Sequence, residues 1–220
     1  MTRTMNARLA GFMFLFYIAT AFPCLVLFDQ AAAGEGTAAK LASIAQHEVR
    51  MRASNVLSLV TIFDAIVLAV ALYALTRDYD RDLAVLALSC RVGEGVINGV
   101  STISTMALLS VAKGTGGVAS NALGELLLKS QDWTMLVGAT LFAVGSTLFA
   151  YLFLRARSIP VWLAWLGVVG SAILVIGLPA RSAALIKGPV TALMWIPIAI
   201  FEVVTGVWLL TKGVSAQRSA

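Results

Sequence analysis

Val161-Trp-Leu-Ala-Trp-Leu-Gly-Val-Val-Gly-Ser-Ala-Ile-Leu-Val-Ile-Gly-Leu178 runs for 18 residues without a charge. As an α-helix it is about 27 Å long, close to the ~30 Å hydrocarbon core of a bilayer. Lipid offers the backbone no hydrogen-bond partners, so a segment lying in it is a helix or a strand of a closed barrel. The run lacks the alternation of apolar and polar residues that marks a barrel strand, so it reads as a helix. Five more runs have the same character: Leu9–Phe28, Ala53–Thr76, Leu83–Ala112, Trp133–Leu154 and Val190–Thr211.

The whole chain agrees with these segments. Of its 220 residues, 60% are hydrophobic and 12% charged, against about 25% charged in a soluble domain. No single soluble core of this size could hide so much apolar surface. The expected fold is all-α: one transmembrane domain over residues 1–220, a bundle of six helices. Composition excludes a cytosolic enzyme, a nucleic-acid binder and a disulfide-stapled secreted module. The net charge is +5, with most bases at segment ends. The expected partner is therefore the lipid bilayer with its anionic headgroups, and not nucleic acid.

Arg3 and Arg8 before the first run resemble a signal peptide in outline. The run is long enough to span, and Ala21-Phe22-Pro23 before Cys24 lacks the small residues of a lipobox. It is read as an uncleaved helix. In the longer connections, Leu41, Ile44, Ala45 and Val49 sit at helical spacing within Thr37–Arg50, which predicts a short interfacial helix. Ser120–Lys129 is either a second one or a plain loop. With the N-terminus inside, Arg3, Arg8, Arg77, Arg81, Arg155, Arg157, Lys212 and Arg218 fall on the inner side. Lys40, Arg50, Arg52, Lys113, Lys129, Arg181 and Lys187 fall on the outer side. The inner loops are shorter and denser in Arg, which favours both termini inside.

The residues that ask for an explanation are the ionisable ones inside the spans: Asp64, Arg91, Glu94 and Glu202. Each such charge costs at least about 2.5–3.5 kcal/mol on insertion scales. Asp64, Glu94 and Glu202 each lie about 17 Å from a segment end, near mid-membrane. Arg91, Glu94, Asn98, Ser101 and Thr105 follow a three–four spacing and share a helix face. Arg91 and Glu94 can pair, and the five donors of Arg91 could bridge a second carboxylate. Asp64, Arg91, Glu94, Asn98 and Glu202 are thus the candidates for a ligand or proton site. The competing reading is a structural lock between the third and sixth helices. Ser54, Ser58 and Thr61 suggest a polar path along the second helix. Gly95 and Gly99 form a GxxxG that predicts a close helix neighbour. Pro197, five residues before Glu202, predicts a kink.

Other features carry less. Cys24 and Cys90 read as buried reduced thiols. No metal-type spacing exists, so no metal or cofactor is expected, and the single His47 rules out bis-histidine haem ligation within one chain. Asp78, Asp80 and Asp82, interleaved with Arg77 and Arg81, read as a solvated turn. Lys113-Gly-Thr-Gly-Gly lacks the Lys-Ser/Thr closure of a P-loop and reads as a linker.

Several short stretches together carry a family likeness. They are Asn6-Ala-Arg-Leu-Ala-Gly-Phe, Arg91-Val-Gly-Glu94, Tyr151-Leu-Phe-Leu-Arg-Ala-Arg-Ser-Ile-Pro-Val-Trp-Leu-Ala-Trp-Leu-Gly and Phe201-Glu-Val-Val-Thr-Gly-Val-Trp-Leu-Leu-Thr-Lys-Gly. With them the chain resembles a bacterial integral-membrane family catalogued as domain of unknown function 4386. The resemblance implies a six-helix protein of a bacterial plasma membrane. It points again to Arg91, Glu94 and Glu202, without a role for any of them.

Three functions compete at this stage. The first is transport or binding of a small solute, or proton-coupled transport, at the mid-membrane polar cluster. The second is a membrane-embedded enzyme acting on a lipid or isoprenoid, which the missing nucleophile–base pair disfavours. The third is a non-catalytic partner subunit, for which the Gly167/Ser171 and Gly138/Gly145 spacings would supply an exposed small-residue face.

Overall fold

The computed structural model describes residues 2–114 and 116–215. Arg218 of the charge count and Thr115 of the glycine linker lie outside these. Helices are α1 (Arg3–Ala31), α2 (Gly36–Gln46), α3 (Glu48–Thr76), α4 (Arg81–Ala112), α5 (Val118–Ala156), α6 (Val161–Ser182), α7 (Val190–Leu193) and α8 (Ile196–Thr211). The described residues contain no strand. Six stretches are long and apolar enough to cross a membrane: α1, α3, α4, α5, α6 and Val190–Thr211. Their outer faces carry large apolar side chains such as Phe22, Phe63, Ile103 and Ile176, each at least 66% exposed. A contiguous apolar exterior of this kind needs lipid as its solvent. The protein is an integral membrane protein.

The helices extend past the apolar runs wherever polar residues tolerate helix. The clearest case is α5. Ser120–Lys129 is neither a loop nor a separate helix but the first turns of α5. No proline separates it from Trp133, and Lys129-Ser-Gln-Asp132 can all continue a helix. The expected short helix within Thr37–Arg50 is present as α2, ending one residue before His47. Glu48–Arg52 instead opens α3. Asp80, read as part of a solvated turn, caps α4 by accepting the Leu83 amide at 3.0 Å. The sixth span is not a kinked continuous helix. It breaks at Met194–Trp195, and Pro197 sits in the first turn of α8, where its missing N–H costs no hydrogen bond.

Packing divides the chain into two compact units, and α1, α3, α4 and α5 contribute to both. One comprises Met1–Phe16, Asp64–Gly95 and Gly138–Ala220, the other Tyr17–Phe63 and Val96–Val137. In the first, small residues bring backbones together. A Cβ on Gly11 would lie 2.7 Å from the Gly206 carbonyl oxygen, and one on Gly167 2.6 Å from the Phe201 ring. Gly138 and Gly145 are also buried, and Ser171 accepts a hydrogen bond from Thr147 at 2.8 Å. The small residues expected to form an exposed partner face are therefore spent on internal packing. In the second unit, Ala31, Leu41, Ile44, Met51, Leu108 and Leu109 form the apolar core. Gly124 lets α5 close on α2: a Cβ there would meet Leu41 at 2.8 Å.

Candidate functional site

All four intramembrane ionisable residues belong to the first unit. Asp64 is 4% exposed, Arg91 2%, Glu94 2% and Glu202 7%. Arg91 and Glu94, one turn apart on α4, form an ion pair with Nη1 2.8 Å from Oε2. Arg91 also lies over the Phe142 ring of α5, 4.6 Å from its centroid, a cation–π contact in a water-poor setting. Gly145 makes this approach feasible, because a Cβ there would come within 3.1 Å of the Arg91 side chain. Asp64 and Glu202 are within electrostatic range of Arg91, and Glu202 also feels Glu94 and Asp64. One guanidinium thus faces three carboxyl groups. Neither oxygen of Asp64 has a hydrogen-bond partner among the described residues.

Space in this cluster is scarce. Phe14, Leu68, Phe149, Phe153 and Phe201 close around Arg91 and Glu202 and leave a cavity of about 10 Å³. That is the lower limit for one water. The cluster can hold charge, a proton or a single water, but no organic solute.

The second unit contains a larger opening. A cavity of about 410 Å³ opens there, lined by α1, α3, α4 and α5. Its volume lies in the range of small-molecule sites. Ser54, Ser58 and Thr61 supply one wall at helical spacing, and Asn98, Ser101 and Thr105 supply another. The polar stripe of α4 therefore serves two places. Arg91 and Glu94 join the buried ion cluster, whereas Asn98 lines the cavity of the other unit. A Cβ on Gly99 would meet nothing within 4 Å, so the expected close neighbour at the GxxxG is not found at that glycine.

Sequence reasoning did not select Tyr17, Cys24, Asn55, Asp29, Gln131 or Asp132, all of which line this cavity. Asn55 beside Ser54 was the available signal. Asp29 and Asp132 looked like ordinary span boundaries. Cys24 and Cys90 are free and only half-buried, not sequestered as expected. Cys24 Sγ donates to the Ser54 carbonyl at 3.2 Å, and Ser54 Oγ donates to the Cys24 carbonyl at 2.9 Å, which ties α1 to α3. Among the described residues, no group of three or more His, Cys, Asp or Glu is placed to hold a metal ion.

Over residues 9–213 the chain matches the family described as a domain of unknown function (DUF4386), and it belongs to that family. No curated protein matches it, and no solved structure does.

Proposed function

We propose that this protein binds a small polar solute within the membrane, in the cavity lined by Ser54, Ser58, Thr61 and Asn98, as a carrier or receptor for that solute. The observation that carries this reading is the cavity of about 410 Å³, built from membrane-spanning helices, in which hydroxyls and amides interrupt an otherwise apolar lining of residues such as Ala21, Leu25, Ile62 and Met135. The hydroxyls of Ser54, Ser58, Thr61 and Thr105 are bonded within the protein, but the buried side-chain oxygen of Asn55 on the same wall accepts no hydrogen bond among the described residues, a desolvation cost that a polar occupant relieves. The ion cluster has the charge expected of a site but space for about one water. In this reading Arg91, Glu94, Asp64 and Glu202 hold α3, α4, α5 and α8 together and do not contact the solute.

Cys24 reports directly on the cavity. In a Cys90→Ala background reconstituted in vesicles, a charged, water-soluble methanethiosulfonate reagent is expected to modify Cys24. A pool of small amines, polyols and carboxylic acids is expected to slow the modification. Cys24 that reacts only with a lipid-soluble maleimide would mark the cavity as closed to water and overturn the proposal.

A further inference from the structure

We infer that the solute is a small organic cation, a protonated amine that donates several N–H bonds; this deepens the proposed function and rests on it. The inference follows from where the hydrogens of the cavity wall go. A hydroxyl has one hydrogen to give and two lone pairs to accept with. Ser54 Oγ gives its hydrogen to the Cys24 carbonyl. Thr61 Oγ1 has the Leu57 carbonyl at 2.8 Å and Thr20 Oγ1 at 2.9 Å as acceptors, so its one hydrogen stays within the protein either way, and Thr105 Oγ1 gives its own to the Ser101 carbonyl at 3.0 Å. Thr102 Oγ1 donates to the Asn98 carbonyl at 3.0 Å. In the 3.1 Å contact between Ser58 and Thr102, Ser58 is therefore the donor. The lining hydroxyls of Ser54, Ser58, Thr61 and Thr105 have committed their hydrogens to the protein and keep lone pairs.

Two further facts have the same sign. The side-chain oxygen of Asn55, on the cavity wall, is buried and accepts no hydrogen bond among the described residues. The ionisable lining is also one-sided: Asp29 and Asp132 contribute carboxylates, and among the described residues no Lys, Arg or His lines the cavity. The bases of this unit that the structure pairs are paired outside the lining. Arg52 and Lys113 share Glu48, each at 2.8 Å, and Lys129 pairs with Glu125 at 2.7 Å. The amide N–H donors of the lining, on Asn55, Asn98 and Gln131, carry no charge, and Gln131 gives one of its hydrogens to Thr105 Oγ1 at 2.9 Å. Two carboxylates and spare hydroxyl lone pairs with no cation beside them disfavour an anion and favour a charged donor over a neutral polyol. An ammonium group supplies donors and charge together. Tyr17 and Phe28 add aromatic rings to the lining, with which a cation interacts favourably.

The test uses Cys24 modification in the full-length Cys90→Ala protein in vesicles, competed by propylammonium, propanol and propionate, which are similar in size. Propylammonium is expected to protect at a concentration at least about tenfold below the other two. The Asp29→Asn/Asp132→Asn double variant is expected to need about tenfold more propylammonium. Equal or better protection by propanol or propionate would overturn the cation assignment and leave solute binding standing. Unchanged protection in the double variant would overturn the role given to the carboxylates. Ready modification of Cys24 that none of the three compounds slows would overturn solute binding itself.

Discussion

In one unit of this protein buried ions are packed closely, and in the other a cavity is lined by polar side chains. The unit containing Arg91 buries four ionisable side chains, each at most 7% exposed, and the void beside Arg91 and Glu202 is about 10 Å³. The unit containing Ser54 lines about 410 Å³ with hydroxyls, amides and two carboxylates. The contrast follows from the cost of a charge in a medium of low dielectric constant. A buried ion needs partners at contact distance, and contact excludes a ligand. Neutral hydroxyls find partners on their own helix's i−4 carbonyls, as Thr61 and Thr105 do, or on a neighbouring helix, as Ser54 and Ser58 do, so they can line an opening without collapsing it. In a membrane protein, the residues most conspicuous in the sequence are therefore not automatically those that meet the solute.

The largest effect that could break this comparison is expected at Arg91. Arg91→Met keeps an unbranched apolar stem and removes the guanidinium that faces three carboxyl groups. Breaking a buried pair in this way costs about 3–5 kcal/mol. Unfolding by dodecyl sulfate in mixed micelles should show the loss, while a variant as stable as the wild type would mean that the cluster locks nothing. A smaller effect is expected from closing the gap beside that guanidinium. Gly145→Ala places a methyl 3.1 Å from the Ala87 carbonyl and from the Arg91 side chain, an overpacking cost of about 1–3 kcal/mol. Gly99→Ala, which meets only open space, serves as the control and should be neutral or better in the same titration.

The smallest change in stability, and the sharpest test of the division, comes from exchanging one polar side chain in each unit. Asn98→Leu should alter stability by less than about 0.5 kcal/mol yet abolish solute protection of Cys24. Asp64→Asn removes an acid without changing shape, and should leave that protection intact. If Asp64→Asn weakened protection as much as Asn98→Leu, the two regions would act as one energetic unit and the comparison would fail.

Much of this could be read without coordinates. Apolar runs of 18 residues or more identify all six spans, because lipid forces each into a helix whatever its neighbours are. The i,i+3 pair Arg91–Glu94 follows from helix geometry alone, and the structure places the pair 2.8 Å apart. Burial of Asp64 and Glu202 in the same cluster follows from the cost of leaving them in lipid. The likeness to the family carries Arg91, Glu94 and Glu202, but not Asp64.

What the sequence alone could not decide is where helices face one another. Asn98 is one turn from Glu94 on the same stripe, yet it lines a cavity in the other unit. The Gly138/Gly145 and Gly167/Ser171 spacings suggest an exposed partner face, yet Gly145 and Gly167 instead admit Arg91 and Phe201. Cys24, Asn55, Asp29 and Asp132 come from three helices, and no local pattern links them. A helix's existence is settled by its own backbone and by the solvent around it. A cavity is made of space left between side chains distant in sequence, so only the tertiary packing decides it.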